Sequence, residues 1–198
     1  MAPELSFPLY FAAEKNDCLH RGTLKLQKLL ASIALGLFFT TCLHAFESKP
    51  PLTIEMSDPK VRITIPGMSG IDMTVHPMAE QTPVFRLRGS SGGTSVSIIT
   101  PEIDTAVSPM ACAGAIANVV LTQLDVTREQ LFLGRSNERT FLIIYGLPME
   151  KSVLLNTHIV SADEETQCIE AHVSKISTSD ADIEPWFNGF GESNIESF

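Results

Sequence analysis

Residues 141–176 read FLIIYGLPMEKSVLLNTHIVSADEETQCIEAHVSKI. Phe141 to Tyr145 is apolar without alternation, which suits a central strand covered on both faces. Ser152–Ala162 and Gln167–Ile176 follow as two long runs of strand character. Asp163-Glu164-Glu165-Thr166 between them has the composition of a turn. Three neighbouring antiparallel strands are therefore expected. The register of the long hairpin stays open at this stage. If paired residues sum to 330, His158 faces His172 and Val160 faces Glu170. If they sum to 329, the two histidines fall on opposite faces of the sheet.

Working outward, Val84–Arg88 and Thr94–Thr100 predict a hairpin joined by Gly89-Ser90-Ser91-Gly92-Gly93. Val61, Ile63 and Ile65 alternate with polar residues, as do Ile71, Met73 and Val75, which predicts a further hairpin around Pro66-Gly67-Met68-Ser69-Gly70. Ser108-Pro109 supplies an N-cap and a tolerated first-turn proline. The segment MACAGAIANVVLTQL that follows is apolar nearly all round, so it predicts a largely buried helix. From Asp182, residues Ile183, Trp186, Phe187, Phe190, Ile195 and Phe198 recur at helical spacing and predict a closing helix. The fold class read from this order is α+β: an antiparallel sheet with a buried helix after the fourth strand and a C-terminal helix. A single domain is expected over residues 61–198, behind a Pro-rich linker at 46–60.

Ahead of the linker stands a targeting segment. Arg21, Lys25 and Lys28 precede the uncharged run LLASIALGLFFTTCL, residues 29–43, and Ala45 offers a cleavage position. Residues 21–45 thus read as a secretory signal peptide, too short in its apolar part for a membrane span. Residues 1–20 are expected to be an extension ahead of a true start near Leu24. The expected location is periplasmic or secreted, with no integral membrane segment after cleavage.

The chain has 198 residues, 44% hydrophobic and 19% charged, a composition that fits a globular domain. It carries 14 basic and 23 acidic residues; cleavage after Ala45 removes four and three of these, leaving 10 and 20. So acidic a chain argues against nucleic acid and anionic membrane as partners and favours a basic protein. Of four cysteines, Cys18 and Cys42 leave with the targeting segment. The remaining pair, Cys112 and Cys168, is expected as a disulfide in an oxidising compartment. It would close a loop of about 57 residues, worth roughly 4 kcal/mol by loop entropy.

The central strand Phe141–Tyr145, the hairpin Ser152–Ile176 and the ending Phe190-Gly191-Glu192-Ser193-Asn194-Ile195-Glu196-Ser197-Phe198 together resemble the PsbP-like fold and the bacterial periplasmic DcrB-like proteins. The resemblance spans about residues 61–198. It implies an α/β/α sandwich, and binding or assembly roles rather than a particular activity.

Three constellations could carry chemistry. Gly89-Ser90-Ser91-Gly92-Gly93 matches G-x-S-x-G with Ser91 central, the pattern of a serine hydrolase elbow, but it lies between two expected strands where a hydrolase needs a strand-to-helix turn. His158 and His172, if they face each other beside Glu170, could bind zinc or copper; two ordinary histidines are the plainer reading, and no metal or cofactor is assigned. Asp163, Glu164, Glu165 and Glu170 head a C-terminal stretch, residues 163–198, with nine acids against Lys175 alone. They are the candidate partner-binding residues. The expected function is an exported, non-catalytic binding protein that contacts another protein through an acidic surface, of inhibitor or immunity type. The alternatives are a serine hydrolase using Ser91 and a carrier for a small ligand or metal.

Overall fold

A computed structural model describes residues 49–79, 84–101, 108–163 and 167–198. The expected signal peptide and the expected extension before it lie outside these residues, as do Glu164 and Glu165. The large sheet has seven strands. In spatial order they are β3 (Thr74–Val75), β4 (Phe85–Ser91), β5 (Thr94–Ile99), β9 (Cys168–Ser177), β8 (Ser152–Ala162), β7 (Phe141–Met149) and β6 (Phe132–Arg135). All its pairings are antiparallel. β9, β8 and β7 are neighbouring interior strands, and residues 141–145 of β7 are all buried, as the apolar run there predicts. Gly92 and Gly93, with φ of 57° and 78°, turn the β4–β5 hairpin. Positive φ at two successive residues matches the twist of the flanking strands, and glycine adopts it without strain.

A second sheet of three strands joins β1 (Leu52–Ser57), β2 (Lys60–Ile65) and β10 (Asn194–Ser197), with β2 in the middle. Its inner residues, among them Ile54, Val61, Ile63, Ile65 and Ile195, share one apolar cluster with Ile98, Ile144, Leu155, Ile159 and Val173 of the large sheet. The short helix α2 (Ile183–Asn188) closes that layer with Trp186 and Phe190, whose rings meet edge to face at 5.0 Å. The opposite face of the large sheet receives helix α1 (Pro109–Gln123) through Cys112, Ala113, Ile116, Ala117 and Val120. The Ser108 hydroxyl accepts a hydrogen bond from the Ala111 amide at 3.1 Å and caps α1.

This architecture overturns the expected α+β class and the α/β/α sandwich. Two sheets and two helices make a sheet-dominated fold, and the layer facing away from α1 is a second sheet. Three local misreadings add up to the difference. Leu52, Ile54 and Met56 alternate inward, so six of the fifteen residues of the expected linker at 46–60 are strand β1, and α1 follows the fifth strand instead of the fourth. β2 does not form a hairpin with residues 71–75; it pairs with β1 and β10, while Thr74–Val75 pairs with β4. The closing helix stops at Asn188, before Gly189 and Gly191, and the chain returns as β10 with Ile195 inward and Glu196 outward. Helix α1 is also less covered than its composition predicts, since Met110 and Val119 on its outer side are 48% and 47% exposed.

Cys112, in the first turn of α1, and Cys168, at the start of β9, lie at disulfide distance with Cα atoms 5.7 Å apart. Among the described residues no helix is long and apolar enough to cross a membrane.

Candidate functional site

The β8–β9 register sums to 330, so His158 stands opposite His172 and Val160 opposite Glu170. β7 adds Tyr145 opposite Asn156 on the same face. Five polar side chains thereby meet beside α1. Glu170 accepts from His158 Nδ1 at 2.7 Å, and His158 Nε2 lies 3.1 Å from the Tyr145 hydroxyl. His172 Nε2 donates to Asn156 Oδ1 at 3.1 Å. The His158 and His172 rings stack at 4.4 Å and 4°, and the Tyr145 ring stacks on His158 at 5.6 Å and 16°. Burial pushes the His172 imidazole down to about 4, with His158 pushing the same way and Glu170 opposing. Burial also pushes the Tyr145 hydroxyl up to about 12, helped by the Glu170 carboxylate.

Carboxylate, imidazole and hydroxyl in a line look like an acid–base relay. The terminal hydroxyl argues otherwise, because Tyr145 is only 3% exposed and holds its proton tightly. Nor does the histidine pair converge on a metal. The lone pairs of stacked imidazoles lie in parallel planes and cannot point at one ion, and both nitrogens of His158 are already bonded. The arrangement is a satisfied polar cluster, which fixes strand register and rigidifies the face it occupies.

The other sequence candidates are scattered. Ser91 ends β4 opposite Thr94 in the tight hairpin, exposed and far from any strand-to-helix turn. Asp163 sits at the tip of the β8–β9 hairpin and accepts from the Gln167 amide at 2.8 Å. Glu170 is 6% exposed and committed to His158, so it cannot serve as a surface charge for a partner. Asp182 bonds Ser177 and Lys175, and Glu196 pairs with Arg62 on the outer side of the small sheet. Among the described residues, these acids lie on different parts of the fold.

What the sequence does not single out is a groove of about 470 Å³ on the face of the large sheet opposite α1. Gly146, Val153 and Leu155 form its floor, and Ile183 and Phe187 of α2 form one wall. The chain from Glu129 to Phe132, a 3-10 turn leading into β6, forms the other. Phe132 is 49% exposed at its lip. Glu129 stands on the rim with its carboxyl held below the usual range, first by its own backbone amide and then by the Thr127 hydroxyl. The only local signals for this site are a glycine and a proline, Gly146 and Pro148, inside an otherwise apolar strand run.

No known protein-family profile matches the chain, and no curated protein matches it.

Proposed function

We propose that this is an exported, non-catalytic binding protein whose partner is another protein, held at the groove between β6, β7 and α2. The observation that carries this reading is the groove: apolar floor and walls, a half-exposed phenylalanine at the lip and an ionised carboxylate on the rim. An apolar pocket edged with charge suits an anchoring side chain from a partner surface. The groove is more open than enclosed, so a small free ligand would stay partly in water, whereas a protein partner would cover it. Export and a Cys112–Cys168 disulfide fit the same picture, as does the acidic balance of the domain after Ala45, 10 basic against 20 acidic residues, which favours solubility. The acidic group at the groove is Glu129 on its rim.

The test is a photo-crosslinking residue at Gln130, which lines the groove and is exposed, with Ser90 on β4 as the control position. The expected result is one adduct at Gln130 and none at Ser90, competed by unmodified protein. The adducted protein, once purified, should bind with about tenfold lower affinity to Phe132→Ser. Equal capture at both positions, or binding indifferent to Phe132, removes the groove as the working surface.

A further inference from the structure

β6 begins at Phe132, opposite Ile144, so its pairing reaches no further along β7, while β7 runs on to Met149 and β8 accompanies it, with Met149 opposite Ser152. From Gly146 to Met149 the second edge of β7 therefore has no strand partner among the described residues. Pro148 sets the direction of the backbone groups there. It has no N–H and stands inside the β7–β8 ladder opposite Val153. A proline keeps that place only where its nitrogen faces away from the ladder. Its nitrogen thus points to the open edge, and two residues earlier Gly146 directs its N–H and C=O the same way.

Gly146 is also on the floor of the groove. A Cβ at this position would press on Val153 Cγ1 at 3.0 Å and a larger side chain would stand in the groove, so glycine keeps the floor low. A residue lying opposite Gly146 would place its side chain on the same face, over the space the glycine leaves.

Resting on the function proposed above, we propose that the partner enters as a short extended segment, pairing with Gly146 on the open edge of β7. One bulky apolar side chain of that segment fills the groove, and a lysine or arginine beside it meets Glu129. Main-chain pairing gives the affinity, and the groove and Glu129 give the selectivity. Pro148 ends the pairing after one register and keeps the edge from recruiting longer strands.

The experiment uses the processed protein, ¹⁵N-labelled, with four capped peptides as probes. The first is acetyl-Lys-Val-Phe-Val-Thr-Lys-amide. The second carries N-methyl on Phe, the third carries N-methyl on the preceding Val, and the fourth has both Lys replaced by Glu. The first peptide should shift the Gly146 amide and slow its hydrogen exchange. N-methylation of Phe should weaken binding about tenfold, because it deletes the bond to Gly146. N-methylation of Val, whose amide points away from β7, should leave affinity within about twofold. The Glu peptide should bind at least about fivefold more weakly, and Glu129→Lys should narrow that preference. No change at Gly146, or equal binding by the two methylated peptides, overturns strand addition. Slowed exchange at Gly146 that grows with protein concentration alone also overturns it, and points to a second copy of this chain at the edge. If strand addition fails while crosslinking from Gln130 still captures a Phe132-dependent partner, the groove remains the binding surface; if both fail, both proposals fall.

Discussion

The two faces of the seven-stranded sheet differ in kind. Beside α1 lie the residues usually associated with chemistry: Tyr145, His158, Glu170 and His172, buried or half-buried and held by hydrogen bonds to one another or to Asn156 and by ring stacking. On the opposite face, at the β6–α2 end, lie Phe132, Gly146, Ile183 and Phe187, with little chemistry of their own but an open groove between them. The contrast shows that reactivity of residue type is a poor guide to availability. A polar group whose bonds are all made within the fold has little left for a ligand, whereas apolar surface kept open to water still has its burial energy to gain.

The sharpest way to break this contrast is to damage the α1 face and ask whether binding survives. Reducing Cys112–Cys168, or replacing both with Ser, should cost roughly 4 kcal/mol by the loop-entropy argument. Urea melts with and without reductant measure it, and an unchanged midpoint would mean that the bond contributes nothing. Next in size is Glu170→Ala, which strands His158 in a buried site. A loss of about 2–4 kcal/mol is expected, again by urea unfolding. In both cases the protein that remains folded should bind its partner with unaltered affinity.

A smaller effect belongs to His172. Its folded pKa, about 4, lies below the value of about 6.5 in an unfolded chain. As pH falls, the unfolded chain takes up the proton first. The contribution of this residue is therefore complete above about pH 6.5, lost as pH drops from there toward about 4, and constant below. It should amount to about 3 kcal/mol at most. His172→Gln should flatten that part of the stability profile, and an unchanged slope would exclude His172 as its source. The smallest stability change is expected on the other face, where Phe132→Ser removes a half-exposed ring and should shift stability by about 1 kcal/mol or less.

Local signals in the sequence correspond to local structure. The Ser108–Pro109 cap, the glycine turn of the β4–β5 hairpin and the long β8–β9 hairpin are all specified by neighbouring residues. The small sheet is not. Ile63 meets Ile195 across most of the chain, and no periodicity within either segment announces that pairing. β1 alternates over only six residues behind Pro50 and Pro51 and so resembles a tether. β10 follows an aromatic run whose spacing imitates a helix. The groove is less legible still, because residues 129–132, 146–155 and 183–187 meet only once the sheet and α2 are in place. The histidine cluster was within reach of the sequence, since the 330 register was one of two choices. Its satisfied, stacked geometry was not, because that depends on Tyr145 arriving from β7.

As proposed above, the groove face binds, and the α1 face holds the fold together. One paired measurement tests this most directly: the affinity of the partner captured from Gln130 for Phe132→Ser and for His172→Gln, each alongside its urea midpoint. The expected result is about tenfold weaker binding with nearly unchanged stability for Phe132→Ser, and unchanged binding with altered stability for His172→Gln. Affinity lost at His172 and kept at Phe132 would contradict the account and move the working surface to the face beside α1.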